Sequence, residues 1–257
     1  MLARDPRITQ VTLIEPDVYK PHNVERHLFP LSEVGCPKAE AAQRWLHDRR
    51  PDLVVTVLIR DLLDPRAEQD AMEQAAATAD IGVCAADNEP AKYYWDALMR
   101  RHCKPWTLGE VLSGGIGGFV HWFVPDGPCY GCVASYLQRS IEVDKAKAPD
   151  YSQPNGPLTE TTIPASKAAI QAIAALHALV TLGLLDNPVD YAPGFTSLLL
   201  TLQRVPEVFE EPFRSYRFRV PRSAECLICR PGAGAAFSAS EELDVALDQA
   251  LARLGHA

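Results

Sequence analysis

Residues 13–30 read LIEPDVYKPHNVERHLFP. An apolar strand runs directly into an acidic pair, Glu15 and Asp17, and then into a loop that carries Asn23 and Arg26. In doubly wound α/β folds, ligands sit in the crevice outside the carboxyl ends of the strands, and a polar loop directly behind a buried strand is what such a crevice needs. The rest of the chain repeats the pattern. ITQVTLIE (8–15) reads as a strand, and PKAEAAQRWLHDRR (37–50) has helical spacing at Ala42, Trp45 and Leu46, with Pro37 suited to the first turn. LVVTVLI (53–59) is a second, β-branched strand, followed by a helix in DPRAEQDAMEQAAATA (64–79), a short buried strand in DIGVCAA (80–86), a helix in EPAKYYWDALMRRHC (89–103) and a strand in PWTLGEV (105–111). Near-continuous apolar strands separated by helices predict a doubly wound, mostly parallel Rossmann-like sheet, covered on both faces.

From GGIGGFVHWFVPDG (114–127) onward the pattern changes to glycine-bounded strands and a hairpin-like run. The proline-rich stretch 146–164 reads as a long mobile loop. An apolar helix (168–185), strands in FTSLLLTLQ (195–203) and SYRFRV (215–220), and a C-terminal helix through SEELDVALDQALARL (240–254) complete the chain. The expected organisation is one domain, with a nucleotide-binding part at 1–125 and a mixed C-terminal region at 126–257.

Bulk properties narrow the function classes. With 257 residues, 47% hydrophobic and 23% charged, the chain can bury a core without staples. A net charge of −8 argues against a general nucleic-acid binder. The N-terminal MLARDPRITQ lacks the apolar segment of a signal peptide. Residues 168–185 are long enough for the membrane test, but Gln171 and His177 interrupt them and no aromatic belt flanks them, so a buried core helix is expected, with no membrane and a cytoplasmic location.

Seven cysteines without an export signal point to a reducing compartment. Four form two C-x-x-C knuckles, Cys129 and Cys132 in PCYGCV, Cys226 and Cys229 in ECLICR. Two knuckles supply four thiolates to one tetrahedral structural zinc, which leaves no coordination position open for catalysis. Redox pairs or unrelated thiols are the alternative. Cys84, ending an apolar strand, reads as a small core residue.

Several polar residues fall at predicted strand ends. Glu15 is placed to accept hydrogen bonds from a ribose, Arg26 and Lys38 to meet phosphate oxygens, and Asp87 in ADNEPAK to hold magnesium. Each also has a plainer reading: Glu15 and Asp17 as turn formers, Arg26 and Lys38 as solvated surface, Asp87–Asn88 as a helix cap. Their joint placement at strand ends favours the site.

The runs VTLIEPDVYKPHNVERHLFPLSEVGCPKAEAAQRWLHDRRPDL (11–53), CAADN (84–88), GEVLSGGIGGFVHWFVPDGPCYGC (109–132) and CLIC (226–229) resemble, in order and spacing, the ThiF/MoeB/HesA family that includes the ubiquitin-activating enzymes, over roughly residues 9–230. The resemblance implies a homodimer or heterodimer that binds ATP with magnesium and adenylates the C-terminal carboxylate of a ubiquitin-like or sulfur-carrier protein, or of a peptide. It also implies roles: Glu15 as the ribose-binding acid, Asn23 and Arg26 on an N-x-x-R loop near the phosphates, Lys38 as the phosphate lysine, Asp87 as the magnesium ligand, and the four knuckle cysteines as zinc ligands.

Three departures stand beside it. No glycine precedes Gly35, so the family's opening strand, glycine-rich turn and helix are missing, and MLARDPRI looks like the tail of that helix. A fragment, a misassigned start and a degenerate relative all give this pattern. The N-terminal arginine that members lend to a partner's site is missing too. The crossover stretch GPLTETTIPASKAAI (156–170) has no cysteine, which resembles members that stop at adenylation without a thioester. A catalytically inactive partner subunit is the competing class. A dehydratase acting on a modified nucleoside of transfer RNA is a third, disfavoured by the acidic charge.

Overall fold

The computed structural model describes residues 1–64, 69–137 and 165–230. The predicted loop 146–164 and C-terminal helix 240–254 lie outside them. The chain divides into two compact units, whose described parts are 1–64 and 69–125 with 165–219, and 126–137 with 220–230.

In the first unit the strands are β1 (Gln10–Ile14), β2 (Val54–Leu58), β3 (Gly82–Cys84), β4 (Trp106–Val111), β5 (Gly117–Phe123), β6 (Ser197–Thr201) and β7 (Ser215–Phe218). The helices are α1 (Lys38–His47), α2 (Gln69–Thr78), α3 (Glu89–Arg101) and α5 (Lys167–Asp186), while α4 (Tyr130–Tyr136) belongs to the second unit. All but α4 lie where the hydrophobic period predicts them; the sequence reads as a hairpin-like run in place of α4.

The pairing departs from the expected single, mostly parallel sheet. Strands β1 and β2 form a parallel pair by themselves, and the other five form a second sheet in the order β3-β4-β5-β6-β7. Only β3–β4 is parallel there; the remaining three pairings are antiparallel. The cause lies in the short link from β4 to β5, where Gly114 (φ 71°) and Gly115 (φ 67°) take the left-handed backbone that lets the chain reverse tightly. Across the resulting ladder Trp106 stacks on Phe123 with ring centroids 4.0 Å apart.

In the two-stranded sheet, Val11, Leu13 and Val55 pack with Leu46 of α1, and Ala3 and Leu53 join the same cluster. The Gln43 side chain donates to the Val55 carbonyl at 2.8 Å, capping the outer edge of β2. In the larger sheet, Ile173 and Val180 of α5 pack on Val120 and Leu198. So the apolar helix does bury one face on a sheet, and His177 on that face meets Thr107 Oγ1 at 2.9 Å. Burial holds the His177 imidazole down to about 4, uncharged at neutral pH.

Gly109 of β4 is what allows this approach, because a Cβ there would collide with the His177 ring. Gly109→Ala should therefore destabilise the protein by about 1–3 kcal/mol through overpacking, read as a lower urea midpoint at unchanged slope. An unchanged midpoint would show that the helix can retreat without cost.

Candidate functional site

After Ile14, Glu15 still donates its backbone N–H to Leu58 O at 3.1 Å, and Pro16 then ends the strand. The chain turns at once, with the Asp17 N–H donating to Glu15 Oε1 at 3.0 Å. Its far end returns beside it: Tyr19 N to Cys36 O at 2.8 Å, Gly35 N to Tyr19 O at 2.9 Å, and Lys38 N to Asp17 O at 2.8 Å. Gly35, at φ 95°, supplies the left-handed residue of that return. Inside the loop, fully buried Tyr19 donates its hydroxyl to Phe29 O at 2.8 Å and packs edge-on against His27 and Phe29. Asn23 is buried as well, and its Oδ1 accepts from Lys20 N at 2.8 Å. Asn23 thus shapes the loop from within, while its carbonyl receives the N–H groups of Arg26 and His27.

This folding gathers several of the sequence-predicted residues. Lys38 Nζ lies 2.6 Å from Asp17 Oδ2. A cavity of about 290 Å³ at this end of β1 is lined by Glu15, Lys38, His27, Phe29, Leu13 and Ala39. Burial raises the Glu15 carboxyl above its ordinary value; the Asp17 N–H and Lys38 oppose that, and the charges of Asp17 and Asp87 add to it. Asp87, after β3, therefore lies within electrostatic reach of Glu15. Burial, then Lys38, Arg26 and His22, holds the His27 imidazole down to about 4. Positive charge converges on a neutral ring, which is a setting for an anion. Sequence reasoning missed His27, although the run NVERH carries it beside Arg26. A larger hollow, of about 390 Å³, lies at the end of β2 against Glu40, Arg44 and Arg60, and contains none of the sequence-predicted residues.

At the start of α3 the cap is Asn88, whose Oδ1 accepts from Ala91 N at 3.1 Å, and Asp87 remains exposed at the strand end. One turn on, buried Lys92 reaches Glu89 Oε1 at 2.6 Å and Glu110 Oε1 at 2.5 Å. Glu110 Oε2 lies 3.0 Å from His121 Nε2, and His121 Nδ1 lies 2.8 Å from Ser197 Oγ. This chain of polar groups fastens the first turn of α3, and with it the Asp87 loop, to three strands of the larger sheet. Cys84 is buried as expected, its thiol pushed up to about 11 by burial.

In the second unit, Cys129 caps α4 and Cys132 lies in its first turn. The four Sγ atoms of Cys129, Cys132, Cys226 and Cys229 lie within 4.8 Å of one another. Three of their separations are 3.7, 3.5 and 3.5 Å. A tetrahedral ion with metal–sulfur bonds of about 2.3 Å requires edges of about 3.8 Å, so the set fits such an ion. The knuckles also interlock through Gly131, where a Cβ would come 2.8 Å from Ile228 Cδ1.

Residues 8–215 match the ThiF family. The SAMP-activating enzyme E1 of Haloferax volcanii is 28% identical over 127 residues, which is 49% of this chain and 44% of that one. Among solved structures, E. coli MccB with ATP superposes with a TM-score of 0.60 at 17% identity, over 86% of this chain and 59% of that one. The microcin C7 biosynthetic enzyme MccB in complex with N-formylated MccA gives 0.62 at 18%, over 86% and 60%. At these identities the likeness to MccB is one of fold. The chain spans 44% of the curated relative's length.

Two outcomes follow from the geometry. His27 should titrate near pH 4 in an NMR titration, and inorganic pyrophosphate should raise that value; a ring titrating near 6.5 would mean that the loop does not enclose it. Because the folded value lies below the unfolded one of about 6.5, stability tied to neutral His27 is complete above that pH and is lost as pH falls toward 4. Metal analysis of purified protein should find about one ion per chain, with Cys132→Ser lowering both metal content and thermal stability. Four freely reactive thiols and no metal would contradict the cluster's assignment.

Proposed function

The chain belongs to the ThiF family, and from that premise we propose that it serves in ATP-dependent adenylylation of the C-terminal carboxylate of a ubiquitin-like or sulfur-carrier protein, or of a peptide. The observation that carries this reading is the meeting of Glu15, His27 and Lys38 around one cavity at the end of β1, with Asp87 in electrostatic reach from the end of β3. Ligands of doubly wound folds bind at that position. Two relatives agree in kind, one being a SAMP-activating enzyme and the other a fold neighbour solved with ATP and with N-formylated MccA.

Under this reading Glu15 accepts hydrogen bonds from the ribose, and Arg26 and Lys38 face the phosphates. Asp87 holds the magnesium that accompanies ATP. Asp17 keeps Lys38 on station, and Asn23 keeps the Arg26 loop in shape. The attacking carboxylate is already ionised, so no general base is required. Charge builds on the α-phosphoryl oxygens as pyrophosphate departs, and fixed positive groups lower that barrier by electrostatic stabilisation and positioning. Zinc, held by Cys129, Cys132, Cys226 and Cys229, would tie the two knuckles together and take no part in the chemistry. The crossover stretch 156–170 carries no cysteine, so the acyl adenylate passes directly to an outside nucleophile with no thioester on this chain. We propose that the working protein is a homodimer or heterodimer.

The test is exchange of labelled pyrophosphate into ATP by the protein at its native length, supplied with its acceptor. Asp87→Ala should abolish exchange, and Arg26→Ala should lower it by a factor on the order of 10²–10³. A thiol-sensitive covalent adduct with the acceptor would overturn the adenylation-only reading. A protein that neither binds ATP nor exchanges, but stimulates an active relative, would instead be an inactive partner subunit.

A further inference from the structure

The four sulfurs of the second unit lie within 4.8 Å of one another, yet Cys129 and Cys226 are 97 residues apart, and thiolates at such a range repel. Something has to hold the two knuckles together. Within the first knuckle α4 does so, because the Cys132 and Val133 N–H groups both donate to the Cys129 carbonyl, at 3.1 and 3.2 Å. Between the knuckles the link runs through two residues just ahead of the second one, Arg222 and Ser223.

The Ser223 N–H donates to Cys132 Sγ at 3.5 Å. Its carbonyl accepts the Cys226 N–H at 3.2 Å, and its hydroxyl accepts the Glu225 N–H at 3.2 Å. Ser223 therefore bonds a ligand of each knuckle. Arg222 extends the same bridge: Nη2 donates to the Cys229 carbonyl at 2.8 Å, and Nη1 reaches the Asp126 carbonyl, on the approach to Cys129, at 3.5 Å. An arginine at the surface is ordinarily a solvated charge. This one turns its fork to two carbonyls from opposite sides of the cluster, while the next residue addresses a sulfur.

We infer that Arg222 and Ser223 are positioning residues for the four-thiolate site, clamping the two knuckles so that a thiophilic divalent ion such as zinc is held in a fixed cage and released slowly. Neither residue is a ligand; both act through ligands. A divalent ion with four thiolates carries a net charge of about −2. A guanidinium fastened to the carbonyl of Cys229 lies beside that charge, and an N–H aimed at a thiolate makes a charge-assisted bond, stronger than one to a neutral acceptor. Partners of this kind typically alter metal affinity by about 10–100-fold. The inference rests on the metal reading of the cysteines given above and adds to it the groups that govern how firmly the ion is kept.

Loading the unaltered protein with a spin-active cadmium isotope tests the clamp without any variant. If the Ser223 N–H bonds the Cys132 sulfur, NMR should show a coupling between the Ser223 amide proton and the metal nucleus. In the zinc-loaded protein, a chromophoric chelator should remove the ion from Arg222→Ala, and from Ser223→Pro, which lacks that N–H, about 10–100 times faster than from the parent. Ser223→Ala keeps the N–H and should release zinc at the parent rate. Rates are compared at a temperature where circular dichroism shows each variant folded. Cobalt supplies a signature that general loosening would not produce: the sulfur-to-cobalt charge-transfer band should move to longer wavelength in Ser223→Pro, where the Cys132 thiolate loses its donor, and stay in place in Ser223→Ala. Cadmium bound with no coupling to Ser223, or folded Arg222→Ala and Ser223→Pro that release zinc at the parent rate, would overturn the inference and leave the metal reading intact. A protein that takes up none of the three ions would overturn both.

Discussion

The 15–38 loop holds its shape because its two ends are stitched together, and the position of every polar group at the end of β1 depends on that. Lys38–Asp17 is the conspicuous contact, yet the Asp17 side chain is 60% exposed, and a pair this open contributes about 0–1 kcal/mol. Three backbone hydrogen bonds close the neck of the loop, at about 1 kcal/mol each. Tyr19, with no exposed surface, adds an apolar contribution of about 1.5–3 kcal/mol and a bonded hydroxyl. The neck and Tyr19 hold the loop. The ion pair then aims Lys38 at the cavity, a role in position rather than stability.

A second fixed point lies across the sheets. Lys92 is nearly fully buried, and a buried ammonium is tolerated only where carboxylates meet it. Glu89 and Glu110 do so, and His121 and Ser197 satisfy the remaining Glu110 oxygen and each other. Removing Lys92 alone would strand Glu110 beside His121, so the start of α3 is held by a network whose members depend on one another. The cysteine cluster has a comparable part in the second unit, where the two knuckles bring their four sulfurs together from distant parts of the chain.

Much of this was legible in the sequence, and for identifiable reasons. Strand and helix periods located the described strands and the helices α1, α2, α3 and α5, the Asp87–Asn88 cap reading marked the start of α3, and C-x-x-C spacing named the four clustered thiols. Period alone does not say which strand pairs with which. That is why the split between β1 and β3 and the antiparallel majority of the larger sheet were not foreseen, although Gly114 and Gly115 signalled one reversal. Lys92 reads as an ordinary helix-surface lysine because its partner Glu110 lies on the next strand. His27 was missed because the fold of its loop, and not its neighbours in sequence, turns it toward Glu15 and Lys38.

The central claim is that one crevice, bounded by the ends of β1 and β3, receives a nucleotide. Backbone amide shifts of the protein at its native length, recorded as magnesium and ATP are added, address it directly. The account predicts that Glu15, Asp17, His27, Lys38, Asp87 and Asn88 move together along one saturating curve. Shifts confined to Arg44, Arg60 and the hollow at the end of β2, or a folded protein whose spectrum does not change, would contradict it.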